Sequence, residues 1–241
     1  MARLAFGVIM KAPKDGYVKT RLVPPLTSAQ ATDLHRCFVQ DTCANLLEVA
    51  TEVPIAAFSV YTPVGAENAV RELVPPEFEL LLQRGETFGE RLFYAAEDLL
   101  ELGYDGAFLM DSDSPTIPTE TLIDAARALS VSGDRATIGP CEDGGYFLLG
   151  LKSPHRRLFE DIAWSTSSVA SQTCARAGEL GLPMTQLEPW YDVDDAASLH
   201  ALREEFANSC GARRQGYEAK YTRRYIEDLF RPNRVPAGAK A

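Results

Sequence analysis

Two short acidic stretches contain residues whose type and spacing are suited to binding a metal ion. Asp111 and Asp113 follow a buried-looking apolar run and are separated by one residue. Asp192 and Asp194 have the same spacing, and in an extended segment their side chains point the same way. Carboxylate oxygens favour Mg²⁺ or Mn²⁺, which joins protein carboxylates to a diphosphate and stabilises a leaving group. An Asx-rich turn is the simpler interpretation of the first pair.

A basic loop is the second chemical feature, and it follows the first apolar run of the chain. Its cations are Lys11, Lys14, Lys19 and Arg21, and Gly16 allows the backbone to turn tightly. Cations beside free backbone N–H groups form a phosphate-binding site. The loop contains neither GxxxxGK[ST] nor GxGxxG, which disfavours a P-loop and a Rossmann dinucleotide site. A solvated basic loop is the alternative.

The third feature is the stretch Cys141-Glu-Asp-Gly-Gly-Tyr146. Asp143 is the candidate catalytic residue, either as a base or by orienting an acceptor hydroxyl. Gly144 and Gly145 suit a loop that presses against a flat or bulky ligand. A tight turn between two strands is the competing interpretation.

Alternating apolar runs and helical patterns predict the elements that position these stretches. Strands are predicted at 4–10, 55–61, 79–83, 106–110, 136–138, 146–151 and 184–187. Helices are predicted from residue 27, at 66–73, 88–102, 118–129 and 167–180, and up to residue 206. This order favours an α/β fold, a mostly parallel sheet with helices on both faces. Ligands bind such sheets at the carboxyl ends of the strands.

Composition and charge restrict the class of protein. The chain has 241 residues, 46% of them hydrophobic, and its 24 Lys+Arg against 34 Asp+Glu give a net charge of −10. This balance disfavours nucleic acid as a partner. Five cysteines without CxxC spacing, and no run of ~18 apolar residues, favour a cytoplasmic protein without a membrane partner.

The end of the chain differs in charge from the rest. Residues 212–241 contain 8 basic and 3 acidic residues. We therefore expect one domain over residues 1–206 and a basic tail over 207–241. The tail is expected to dock on its own domain or on a neighbouring subunit of a homodimer, and a solvated terminus is the alternative.

Six separated motifs together resemble the DUF2064 family, which is also described as glycosyltransferase-like or selenodomain-associated transferases. In chain order they are Lys11-Ala-Pro-x-x-Gly-x-Val-Lys-Thr-Arg-Leu22, Gln83-x-Gly85-x-x-x-Gly89-Glu-Arg91, Asp113-x-Pro115, Gly139-Pro-x-x-Asp-Gly-Gly-Tyr146, Trp164-Ser-Thr166 and Asp192-Val-Asp194. The resemblance covers residues 3–206. It implies the GT-A-like fold of the nucleotide-diphospho-sugar transferase superfamily and dependence on Mg²⁺ or Mn²⁺.

The resemblance also implies roles for individual residues. Phosphate and nucleotide binding are assigned to Lys11, Lys19, Arg21, Gln83 and Arg91. Metal binding is assigned to Asp113, Asp192 and Asp194. The acceptor or sugar side is assigned to Gly144, Gly145, Tyr146 and Trp164. Asp111 departs from the family pattern, in which glycine is usual, so it is either a further metal ligand or a support for its neighbour.

Three functions are consistent with this sequence. The first is metal-dependent glycosyl transfer from a nucleotide-diphospho-sugar to a small-molecule acceptor. The second is nucleotidyl transfer from an NTP to a phosphorylated small molecule, similar to a guanylyltransferase, with release of pyrophosphate. The third is nucleotide binding without catalysis. The histidines His35, His155 and His200 neighbour no acidic motif in the chain and are expected to be structural or on the surface.

Overall fold

Seven strands and seven α-helices make up the part of the chain that the computed structural model describes, residues 2–207 and 216–231. The strands are β1 (Leu4–Lys11), β2 (Ile55–Thr62), β3 (Glu79–Leu82), β4 (Gly106–Met110), β5 (Ala136–Pro140), β6 (Tyr146–Leu151) and β7 (Met184–Gln186). The helices are α1 (Ser28–Glu52), α2 (Glu67–Arg71), α3 (Phe88–Glu101), α4 (Thr119–Ser130), α5 (Val169–Glu179), α6 (Ala196–Ala207) and α7 (Lys220–Leu229).

The strands form one sheet in the order β3-β2-β1-β4-β6-β5-β7. Strand β6 runs antiparallel to its neighbours β4 and β5, and the other strand pairs of this sheet are parallel. The α/β prediction of a mostly parallel sheet is therefore confirmed. Strands β1 and β4 are direct neighbours, so the loops that follow them leave the same edge of the sheet.

The central strands alternate their side chains between two apolar layers. Phe6 and Phe108 stack at 4.3 Å on the face that α1 and α4 cover. Ala5 and Ala107 point to the other face, which α3 and α5 cover. Burial on both faces explains why β1 and β4 are continuous apolar runs in the sequence. Within the described ranges no helix is long and apolar enough to cross a membrane.

Capping residues begin the two longest helices where the sequence pattern places them. The Thr27 side chain accepts from the backbone N–H of Gln30 at 3.2 Å, and the Gln30 side chain accepts from the backbone N–H of Thr27 at 2.8 Å. Thr87 and Glu90 form the same capping box at the start of α3. These reciprocal hydrogen bonds fix the residue at which each helix begins.

The described part of the predicted tail, residues 216–231, packs on the body of the same chain. Helix α7 contacts α1, and its Thr222 and Ile226 are buried. Ile226 belongs to an apolar cluster with Leu34 and Phe38 of α1. The remaining tail positions, 208–215 and 232–241, lie outside the described residues.

A carboxylate from α1 caps the first turn of α7. Asp41 accepts from the backbone N–H groups of Tyr221 at 3.1 Å and Thr222 at 2.7 Å. The residue that precedes α7, Ala219, has no side chain that does this. Asp41 therefore satisfies two of the four N–H groups that every helix start leaves unpaired.

We expect Asp41→Ala to lower the free energy of unfolding by about 2 kcal/mol, because two backbone N–H groups lose their acceptor in a buried place. Urea unfolding measures this loss. Asp33→Ala is the matched control, since Asp33 lies exposed on the same helix. Equal stability of the two variants would contradict the capping role.

Candidate active site at one edge of the sheet

A cleft of about 670 Å³ lies at the carboxyl ends of β1 and β4, the edge that the strand order predicts. The predicted residues that line it are Lys11, Lys19, Arg21, Gln83, Arg91, Asp111, Asp113, Asp143, Gly145, Tyr146, Trp164 and Asp194. Gly144 and Asp192 do not line it. The cleft has the usual volume of a small-molecule site.

The two acidic stretches meet although they are far apart in the chain. Asp113 follows β4, and Asp194 lies in the segment between β7 and α6. The backbone N–H of Val193 donates to the carbonyl of Asp113 at 2.9 Å, which fastens the second stretch to the first. Asp195 then caps α6 by accepting from the backbone N–H of Ser198 at 2.9 Å. These backbone contacts direct Asp194 toward Asp113.

The ammonium group of Lys19 lies between these two carboxylates. Its Nζ is 2.8 Å from Oδ1 of Asp113 and 2.9 Å from Oδ1 of Asp194. Only 4% of the Lys19 side chain is exposed. Burial by itself lowers the pKa of Lys19, but the carboxylates of Asp113 and Asp194 outweigh it and raise that pKa above the ordinary value. Lys19 is therefore a buried, charged counter-ion.

The nearby cations compensate the negative charges of the surrounding carboxylates to different extents. Burial and then the Asp113 and Asp192 carboxylates raise the pKa of Asp111 well above its ordinary range. Burial and then Asp194 and Asp143 raise the pKa of Asp192 to about 6. Burial also acts to raise the pKa of Asp194, but Lys19 and the paired guanidinium of Arg21 outweigh it and lower that pKa. One lysine and one arginine leave negative charge uncompensated in this cluster.

The donor set fits a hard divalent cation. The position of the Lys19 ammonium shows that Asp113 and Asp194 accept a cation between them, and their side chains are 34% and 28% exposed. Asp143, Asp192 and Cys141 also have ligand atoms within 4.8 Å of one another. Burial, followed by the nearby Asp111 and Asp192 carboxylates, raises the pKa of the Cys141 thiol. Carboxylate oxygens are the ligands that Mg²⁺ and Mn²⁺ prefer.

The loop that carries Asp143 is the hairpin turn between β5 and β6. Oδ1 of Asp143 accepts from the backbone N–H of Gly145 at 2.8 Å, so the exposed carboxylate is held in one orientation. Gly144 has a φ of +92°, and a Cβ there would lie 2.0 Å from the carbonyl oxygen of Ser167. Gly144 thus packs against the segment before α5, and the cleft wall is formed by Gly145 and Tyr146.

Three aromatic rings form one wall of the cleft. The Trp164 ring lies edge to face with two neighbours, and its centroid is 5.1 Å from that of Phe88 and 6.5 Å from that of Tyr146. Phe88 is 42% exposed, so part of its ring faces the cleft that it lines. Phe88 was missed by the sequence reasoning, although it lies inside the Gln83–Arg91 motif. The wall is suited to stacking on a nucleotide base or a sugar.

The predicted nucleotide-binding residues differ in their contacts and in their exposure. The Gln83 amide nitrogen donates to the carbonyl groups of Val60 at 2.8 Å and Met10 at 3.3 Å, which ties β3 to the ends of two other strands. Arg91 lies with its guanidinium carbon 5.7 Å from the centre of the Phe88 ring. Lys11 and Arg21 are the exposed cations of the lining.

His35, which the sequence analysis expected to be structural or on the surface, also reaches the cleft from α1. Its Nε2 donates to the carbonyl of Lys11 at 2.9 Å, and its buried Nδ1 has no partner among the described residues. Burial lowers the pKa of His35 in spite of the nearby Asp113 carboxylate, and Lys19 and Arg36 lower it further. His35 is 24 residues from Lys11 in the chain, so a short stretch of sequence does not indicate this contact.

We expect the stability of the metal-free protein to fall more steeply for the wild type than for His35→Gln between pH 6.5 and pH 5. The pKa of His35 is depressed in the folded state, so the unfolded chain binds the proton first and acid favours unfolding. A single proton contributes at most about 1.4 kcal/mol per pH unit. Urea unfolding across this pH range measures the difference. His200→Gln is the control, since His200 is exposed, and equal slopes for wild type and His35→Gln would refute this role.

Comparison with known structures finds this architecture in proteins that are named as transferases or synthases. A Desulfovibrio desulfuricans G20 protein, provisionally named a nucleotide-diphospho-sugar transferase, is 28% identical, with a TM-score of 0.80 over 95% of this chain and 96% of its own. CMP:2-keto-3-deoxy-manno-octonic acid synthetase in complex with CTP is 12% identical, with a TM-score of 0.53 over 86% and 100% of the two chains. The 4-diphosphocytidyl-2C-methyl-D-erythritol synthase of Anaerococcus prevotii DSM 20548 is 10% identical, with a TM-score of 0.52 over 86% and 97%. The last two similarities concern the fold alone.

Sequence comparison confirms the family that the six motifs predicted. No curated protein matches the chain. The family model described as uncharacterized protein conserved in bacteria (DUF2064) matches residues 45–166, half of the chain. The chain therefore belongs to the DUF2064 family.

Proposed function

We propose that this protein is a divalent-metal-dependent transferase that takes a glycosyl group from a nucleotide-diphospho-sugar and passes it to a small acceptor. One observation carries the proposal: the carboxylates of Asp113 and Asp194, which are distant in the chain, both contact the Lys19 ammonium in a cleft that Lys11 and Arg21 also line. Carboxylates for a metal and cations for phosphate are the two requirements for binding a diphosphate.

Four carboxylates would hold the metal ion, those of Asp111, Asp113, Asp192 and Asp194. When bound, Mg²⁺ or Mn²⁺ supplies charge that stabilises the departing diphosphate. Lys11 and Arg21 are exposed residues of the cleft lining, and Arg21 keeps further N–H donors for phosphate oxygens beside its ion pair with Asp194. The aromatic wall of Phe88, Tyr146 and Trp164 would stack on the base or sugar and exclude water beside it.

Asp143 is the residue that we propose as catalytic base. Its carboxylate is exposed to the cleft and is oriented by the backbone N–H of Gly145. A fixed carboxylate at this place is suited to accept the proton of an acceptor hydroxyl as that oxygen attacks the sugar. The hairpin turn between β5 and β6 holds the group in place, because Gly144 is packed against Ser167.

The resemblance to the Desulfovibrio desulfuricans protein supports a nucleotide-sugar donor. It extends over 95% of this chain, and its identity of 28% is above that of the cytidylyltransferase-like structures. The latter share the fold, which hosts more than one reaction, so they do not favour nucleotidyl transfer here.

Product analysis tests this function. Purified protein is incubated with Mn²⁺ and a panel of nucleotide sugars or nucleoside triphosphates, each with sugars, polyols and phosphorylated small molecules as acceptors. We expect nucleoside diphosphate to be released from a nucleotide sugar, and EDTA to prevent it. Release of pyrophosphate from a triphosphate would make the protein a nucleotidyltransferase instead. Saturable nucleotide binding with neither product would make it a non-catalytic binding protein.

A further inference from the structure

We propose that Lys19 is a built-in competitor of the metal ion: its ammonium occupies the cation position between Asp113 and Asp194 in the ligand-free protein and is displaced when the divalent ion binds. The displaced ammonium then pairs with the diphosphate. The inference rests on the metal site of the proposed function and adds to it an exchange between two cations at one place.

The hydrogen bonds of Lys19 leave no donor free for a phosphate. An ammonium group has three donors. They are directed at Oδ1 of Asp113 at 2.8 Å, Oδ1 of Asp194 at 2.9 Å and the carbonyl of Val193 at 2.9 Å. Lys19 therefore cannot bind phosphate, the role that the family resemblance implies, while it remains in this position. At least one of these three contacts has to break first.

The exposures of the three groups indicate how the exchange proceeds. The Lys19 side chain is 4% exposed, whereas the Asp113 and Asp194 side chains are 34% and 28% exposed. A hydrated ion can therefore reach the two carboxylates from solvent. Lys19 lines the same cleft, and its flexible stem allows the ammonium to move along that lining.

The charge balance allows this exchange with the metal ion alone and favours it most when both ligands are present. Together with the Arg21 guanidinium, which pairs with Asp194, a divalent ion compensates the cluster of Asp111, Asp113, Asp192 and Asp194 better than one ammonium does, but it leaves Lys19 without its partners. A diphosphate supplies new partners to Lys19. Metal and diphosphate should therefore bind with positive coupling, and metal alone should bind less tightly than the carboxylates would otherwise permit.

Amine labelling of the native protein tests the displacement. Acetylation by an N-hydroxysuccinimide ester at pH 8 is followed by mass spectrometry, with and without saturating Mn²⁺, and calorimetry establishes saturation. Lys14 is the internal reference, because it lies exposed in the same loop outside the cleft lining. We expect Mn²⁺ to accelerate labelling of Lys19 about tenfold, a usual size for coupled equilibria, and to leave Lys14 unchanged.

A second measurement uses Lys19→Met and the matched variant Lys14→Met, each checked for folding by thermal unfolding. Removing the competitor should tighten binding of Mn²⁺ alone about tenfold in Lys19→Met, whereas Lys14→Met reports the general effect of one lost charge. Wild-type Mn²⁺ binding with unchanged Lys19 labelling, or equal or weaker binding by Lys19→Met, would overturn this inference and leave the proposed function standing. Absence of Mn²⁺ binding in wild type and both variants would overturn the metal site itself.

Discussion

Replacing Asp113 by asparagine is expected to lower metal-dependent turnover by about 10³-fold, which corresponds to about 4 kcal/mol of activation free energy. The physical reason is charge: asparagine keeps the shape of the side chain but offers only a neutral oxygen to the cation. Asp113 follows β4, and its carboxylate and that of Asp194 contact the same Lys19 ammonium. Removing this one carboxylate therefore disrupts the site that the two acidic stretches form together.

The measurement is a steady-state rate with Mn²⁺, together with a Mn²⁺ titration of the free protein. Asp15→Asn is the matched control, because Asp15 is exposed in the basic loop and does not line the cleft. Thermal unfolding establishes that the Asp113 variant is folded. Full turnover and unchanged Mn²⁺ binding in Asp113→Asn would exclude this carboxylate from the metal site.

Gly144→Ala is expected to lower the free energy of unfolding by about 4 kcal/mol, an effect at the upper end for single substitutions. Two costs coincide at this position. The φ of +92° is left-handed, which costs an alanine about 1–2 kcal/mol. The new Cβ would lie 2.0 Å from the Ser167 carbonyl oxygen, and such overpacking costs about 1–3 kcal/mol. The loop would also shift, and with it Asp143.

Gly133→Ala separates the two costs, since Gly133 has a φ of +86° and nothing within 4 Å of the added Cβ. We expect this control to lose only about 1–2 kcal/mol in urea unfolding. Similar losses in the two variants would show that the Ser167 contact is unimportant. If Gly144→Ala lost the expected stability but kept normal turnover at a low temperature at which it is folded, the position of this loop would not matter for catalysis.

The elements that the sequence predicted well are those set by neighbouring residues. The helix predicted from residue 27 begins with a capping box between residues three positions apart, Thr27 and Gln30, and the buried run of β4 is continuous, so each is legible in a short window. The hairpin around Gly144 was one of two interpretations. Its geometry depends on contact with Ser167, 23 positions away, and local composition does not contain that contact.

The position of the site could be predicted as far as the order of the strands in the sheet could be predicted. Parallel neighbouring strands bring their carboxyl ends to one edge, so the acidic loop after β4 and the basic loop after β1 had to be close. What each group does there was not predictable. Lys19 is 175 residues from Asp194, and the sequence assigned it to phosphate, whereas in the folded protein it neutralises two carboxylates.

Taken alone, the sequence determined the α/β class, the family and the aspartates, lysines and arginines that line the cleft, because periodicity, caps and motifs act over short stretches. Tertiary structure decided how these side chains are paired, and it brought in His35, Phe88 and helix α7. The reason is that burial and charge act through space: the pKa of Asp192 and the partners of Lys19 depend on which carboxylates pack beside them, and packing joins residues that the chain keeps far apart.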